Sequence, residues 1–127
     1  MSQLNPLKKT ISEFYPVNGI GTVVTKKGNQ DVFVYGYFTA WDKWSFIVHQ
    51  DVEFPEFCTV SEASTGYQLI KECYYSVEDA LYFSAPIIES KRYYFSTIIK
   101  DILVSTQQNL LQRNTTNLQT LAINMLW

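Results

Sequence analysis

The sequence predicts an α+β domain in which an N-terminal antiparallel β-sheet is followed by a kinked long helix and a short C-terminal helix. Three observations carry this prediction. Side chains alternate with the strand period as far as Tyr75, and after Ser76 the apolar spacing changes to about 3.6 residues. The first part is dense in Val, Thr, Tyr and Phe, the residues that fit a pleated surface. The chain of 127 residues is 46% apolar and 17% charged, which is long enough to bury a core and too hydrophobic to stay disordered. With no repeat, low-complexity tract or linker, a single domain over residues 1–127 follows, the sheet over about 18–75 and the helical segment over about 76–126.

Residues 1 to 17 hold Pro6 and Pro16 around a mixed stretch and receive no assignment. Ile20 to Lys27 and Val32 to Thr39 form a hairpin whose turn is Gly28-Asn29-Gln30-Asp31. In the second strand, alternation places Phe33, Tyr35 and Tyr37 on one face and Val32, Val34, Gly36 and Phe38 on the other. Trp44 to Gln50 is a third strand, with Trp44, Phe46 and Val48 alternating against Ser45, Ile47 and His49. Pro55 makes Val52 to Phe57 a connection, because proline cannot donate to a ladder. Cys58 to Ser64 and Tyr67 to Tyr75 flank Thr65-Gly66 and predict a second hairpin. Its register sets Cys58 opposite Cys73, two reduced thiols with room for a disulfide under oxidation.

Ser76 is a hydroxyl cap, and Glu78 and Asp79 complement the helix dipole in the first turn. Pro86 removes a backbone donor inside this helix, which predicts a kink or break there. Beyond it Ile88, Phe95, Ile98, Ile99, Ile102, Leu103, Thr106 and Leu110 form one buried stripe. The polar run Arg113 to Asn117 ends that helix and starts a last one carrying Leu118, Leu121, Met125 and Leu126 on one face.

Composition excludes several classes of function. Ten basic and twelve acidic residues give a net charge of −2, without the basic excess that holds a duplex nucleic acid. The pairs Lys8-Lys9, Lys26-Lys27 and Lys91-Arg92 are short and scattered, and read as solvated surface. Neither a secretory leader nor a run of about 18 apolar residues is present, so no membrane partner is expected and the cytoplasm is the expected location. His49 is the sole histidine, too few for a multi-histidine metal site, and no glycine-rich phosphate loop occurs. The one conceivable nucleophile and base pair, His49 with Cys58 or Cys73, lacks a third orienting group. The expectation is a protein that is not an enzyme and carries no cofactor.

The helical segment holds what binding chemistry remains. Lys91, Arg92, Lys100 and Arg113 are its positive charges, and Tyr82, Phe83, Tyr93 and Tyr94 supply ring faces. A guanidinium forked onto phosphate with a ring laid on a base is a recurrent way to hold a nucleotide. Arg113, Asn114, Phe83, Arg92 and Tyr82 are therefore the candidate contacts for a small anionic nucleotide-like ligand. Arg113 at a helix C-terminus would equally serve as a dipole partner. Tyr93-Tyr94-Phe95 spreads apolar surface around more of the helix than one sheet can cover, which predicts a homo-oligomer.

The layout from Ile20 to Leu126, with Gly19-Ile20-Gly21-Thr22-Val23-Val24 and Ser64-Thr65-Gly66 as the segments that carry the likeness, resembles the phage anti-Thoeris sponge proteins. The resemblance implies capture of a cyclic ADP-ribose-type signal without turnover, inside an infected bacterial cell. It also implies an aromatic of the first helix and a late arginine as contacts, positions matched by Phe83 and Arg113. The alternative is a protein-interaction or inhibitor module that uses an aromatic sheet face and needs no small ligand.

Overall fold

The computed structural model describes residues 12–41, 43–110 and Asn114. Four antiparallel strands run in chain order across one sheet: β1 (Tyr15–Thr25), β2 (Gly28–Ala40), β3 (Trp44–Gln50) and β4 (Cys58–Glu62). Two helices follow, α1 (Val77–Ser90) and α2 (Arg92–Thr106). The α+β class and the order of sheet before helices are as the sequence predicts. Arg113 and the final helix expected over Leu118 to Leu126 lie outside the described residues.

The first turn falls earlier than predicted, at Lys26-Lys27, and Gly28 to Asp31 belong to β2. Local chemistry fixes it. The Thr25 hydroxyl donates to Gly28 O (3.0 Å) and accepts from Lys27 N–H (3.1 Å), while Gly28 takes φ 100°, a region glycine enters without strain. The tip thus presents two exposed lysines.

Strict alternation fails within β2. The register against β3 shifts between Val34 and Gly36, so Tyr37 joins Val32 and Val34 on one face while Tyr35 packs toward Phe38 on the other. One inserted residue exchanges the faces of everything beyond it. The face that carries Phe38, Ala40, Phe46, Val48 and Val60 is covered by Ala80 and Ile88 of α1 and Phe95 of α2. The opposite face gathers Val17, Val23, Val32, Val34, Ile47 and Ala63.

The second hairpin is corrected as well. Residues 67–75 form no strand, and Cys58 pairs with Tyr74 rather than Cys73, through Cys58 N–H to Tyr74 O (2.9 Å) and Tyr74 N–H to Cys58 O (2.7 Å). Both cysteines are free, Cys58 buried and Cys73 exposed. The cause is the turn, which winds around the Glu62 carboxylate. That group is fully buried and accepts from Ser64 N–H (2.9 Å), Thr65 N–H (2.8 Å) and the Ser64 hydroxyl (2.7 Å). The wound turn brings Glu62 N–H to Tyr67 O and displaces the register by one residue.

In α1 the predicted cap holds, with Asp79 N–H donating to Ser76 Oγ at 3.0 Å. Of the kink or break predicted at Pro86, the break does not occur. Pro86 is exposed within α1, and the ladder continues with Lys91 N–H to Ile87 O (3.0 Å). The helix gives way only at Lys91, whose φ −110° and ψ 30° separate α1 from α2. Among the described residues no helix is long and apolar enough to cross a membrane.

Candidate functional site

The sheet curls until β1 meets the chain that leaves β4. Val24 N–H donates to Gly66 O (2.8 Å), and the Asn114 side chain fills the adjoining gap. Its amide nitrogen donates to Thr22 O (2.9 Å) and Ala63 O (2.6 Å), and its oxygen accepts from Thr22 N–H. Gly66, at φ 73°, permits the approach, since a methyl group there would lie 2.9 Å from Leu110 Cδ1 and 3.2 Å from Thr22 O.

This curl leaves a cleft of about 560 Å³ beside the first hairpin. Lys26, Lys27 and Gln30 come from that hairpin, His49 and Ser61 from β3 and β4, Asp51 and Glu53 from the connection, and Gln68 from the segment after the turn. The antiparallel register places Ser61 beside Ile47 and Thr59 beside His49, so the odd-numbered residues of β3 and β4 share this face.

The floor is a buried polar pair. His49 Nδ1 lies 2.8 Å from Gln50 O, and His49 Nε2 lies 2.7 Å from Ser61 Oγ. A carbonyl oxygen only accepts, so Nδ1 carries the proton and the Ser61 hydroxyl donates to Nε2. Burial pushes the His49 pKa down, against smaller opposing effects of the Gln50 carbonyl and the Asp51 charge, and the imidazole is neutral at pH 7. His49 is 2% exposed and Ser61 1% exposed.

Asp51 organises the connection. One carboxylate oxygen accepts from Glu53 N–H (3.0 Å) and Phe54 N–H (2.9 Å), and the other accepts from the Cys73 thiol (3.2 Å). Although the residue is exposed, partial burial of its sulfur against the connection and that hydrogen bond, with the charge of Asp51 itself, push the Cys73 thiol up to about 11. Cys73 is accordingly a protonated thiol at neutral pH. Burial also raises Cys58. Both ring nitrogens of His49 are engaged elsewhere, so the cysteine and histidine pair conceived from the sequence does not form.

The residues singled out on the helices are dispersed. Tyr82 and Phe83 are exposed on α1, edge to face at 5.1 Å, and Phe83 stacks on Tyr74 at 6.1 Å. The Arg92 guanidinium lies over the Trp41 ring at 5.6 Å, beside an open groove lined by residues 89–94 where the helices part. Among the described residues no hydrogen bond or ring contact joins Arg92 to Tyr82 or Phe83. Asn114 is 1% exposed with both ends of its amide on backbone, so it fastens the fold and presents nothing to a ligand. Arg113 lies outside the described residues.

Sequence reasoning passed over the cleft residues. Lys26-Lys27 looks like any solvated pair until the turn is placed there, and Ser61 meets His49 only once β3 and β4 are paired. The available signal was the matching alternation of Ile47-His49 with Thr59-Ser61. No family model, curated protein or solved structure matches the chain.

Proposed function

We propose that the protein is a non-catalytic binding protein that sequesters a small nucleotide-like anion of the cyclic ADP-ribose type in the cytoplasm, and that its site is the cleft beside the first hairpin. The observation that carries the reading is the pair of exposed lysines at the mouth of a cleft with a neutral, hydrogen-bonded floor. Lysine ammonium groups attract phosphate as point charges. Gln30 and Gln68 bring amide donors and acceptors, and the exposed Glu53 carboxylate can accept from sugar hydroxyls. A ligand with anionic and hydroxyl-bearing parts matches that lining. The homo-oligomer belongs to the same reading, through Tyr93 and Tyr94, which stand 85% and 61% exposed.

Thermal shift against ADP-ribose, cyclic ADP-ribose and cyclic mononucleotides tests this reading. A ligand that binds only the folded state adds about 2.7 kcal/mol at a hundred times its Kd. The expected result is a saturable rise for a ribose phosphate that disappears in Lys26→Ala/Lys27→Ala. The reading fails if no compound raises the midpoint, or if the double variant responds as the parent does.

A further inference from the structure

Next to the cleft, three rings form a surface cluster in which Phe54 and Tyr75 are exposed and Phe57 between them is half-buried. Phe54 meets Phe57 edge to face at 6.4 Å, and Phe57 meets Tyr75 in the same manner at 5.2 Å. Phe54 is 51% exposed and Tyr75 81% exposed. Ordinary surface aromatics stand singly, whereas these are joined and held in place.

The connection that carries Phe54 is rigidly tied. Asp51 N–H donates to Phe57 O (3.0 Å), Phe57 N–H donates to Phe54 O (2.9 Å), and the Asp51 carboxylate holds the Glu53 and Phe54 amides. Tyr75 follows Tyr74, which is pinned to Cys58 by two backbone hydrogen bonds. The cluster therefore needs little ordering before it binds.

Its charge is one-sided. Exposed carboxylates flank each ring in the chain: Glu53 beside Phe54, Glu56 beside Phe57, and Glu72 and Glu78 on either side of Tyr75. Lys71 is the only cation in the run from Val52 to Phe57 together with Lys71 to Asp79. Glu53 also helps to raise the Cys73 thiol, which brings the connection and the segment before α1 into one electrostatic neighbourhood.

We propose that the cluster of Phe54, Phe57 and Tyr75 is a docking surface for a basic segment of a partner protein, one that alternates Arg or Lys with apolar residues. Guanidinium groups suit such a surface twice, since they lie on ring faces and fork onto carboxylates. The apolar residues of the segment cover the ring edges. This inference does not rest on the cleft lysines, although Glu53 borders both the cleft and the ring cluster.

The test uses fluorescence anisotropy of a short labelled peptide of alternating Arg and Leu, with a Glu and Leu peptide as the control. The full-length protein should bind the basic peptide in preference to the acidic one, and added salt should weaken binding. Tyr75→Ala and Glu56→Lys should each weaken it about tenfold or more, while Val104→Ala, at a 77% exposed apolar side chain of α2 outside the cluster, leaves it unchanged. Equal binding by all three variants, or by both peptides, overturns the proposal. So does a concentration-dependent dimer that Tyr75→Ala abolishes in a protein that ignores the basic peptide, since the occupant would then be a second copy.

Discussion

Asn114 hydrogen-bonds the backbone of Thr22 in both directions across 92 residues of sequence, and its amide nitrogen also reaches Ala63. A side-chain amide reproduces the donor and acceptor pattern of a peptide unit, so it substitutes for a strand where β1 and the chain after β4 do not quite meet. Truncation would leave the Thr22 N–H, Thr22 O and Ala63 O without that partner in a buried site. Asn114→Ala should cost about 2–4 kcal/mol in unfolding free energy, read from the urea midpoint. Asn114→Asp should also destabilise, because an ionised carboxylate cannot donate to the two carbonyls. A midpoint unchanged in both variants would show that the amide is dispensable.

Glu62 is a fully buried carboxylate that serves the turn after β4. Glu62→Gln keeps the shape but turns one acceptor into a donor that faces either the Ser64 or the Thr65 amide, since the two donate to different oxygens. The expected loss is about 2–3 kcal/mol. Because the turn sets the pairing of Cys58 with Tyr74, amide exchange at Tyr74 should accelerate along with the loss of global stability.

His49 gives the fold a pH dependence of known sign. Burial holds its pKa below the ordinary 6.5, so as pH falls through 6.5 the unfolded chain takes up a proton that the folded chain refuses. Stability on this account is flat above about pH 7.5 and declines below 6.5 until the folded imidazole also protonates, with a limiting slope of about 1.4 kcal/mol per pH unit. Urea titrations at several pH values should show that decline in the parent and a shallower one in His49→Gln. Parallel curves would remove His49 as its source.

Cys73 is exposed yet should react slowly. With its thiol near 11, iodoacetamide at pH 8 meets little thiolate. Asp51→Asn removes the neighbouring charge and should speed alkylation severalfold, counted by intact mass. Cys58, buried beside Tyr74, should stay unlabelled until the protein unfolds.

What the sequence made legible was local. The change of period at Ser76, the Ser76 cap and the alternation of Trp44 to Gln50 all rest on neighbours within a few residues, and each appears in the fold. The bulge between Val34 and Gly36 does not, because it arises from curling a sheet whose ends meet far apart in the chain. Pro86 in isolation predicts a kink or a break, but the helix runs on through it, with Ala80 and Ile88 of the same helix buried against the sheet. The pairing of Cys58 failed by one residue because a buried carboxylate, not the glycine alone, built the turn. The cleft was the least legible part, since its floor and its mouth come from different hairpins.

The tie between Val24 and Gly66, completed by Asn114, bears on how the molecule behaves among copies of itself. An outer strand with bare amides and carbonyls is a template on which another chain can add. Along Thr22 to Val24 that template is already occupied from within. Growth by strand addition there requires the Asn114 latch to open first, so resistance to fibril formation is built into the same contact that closes the sheet.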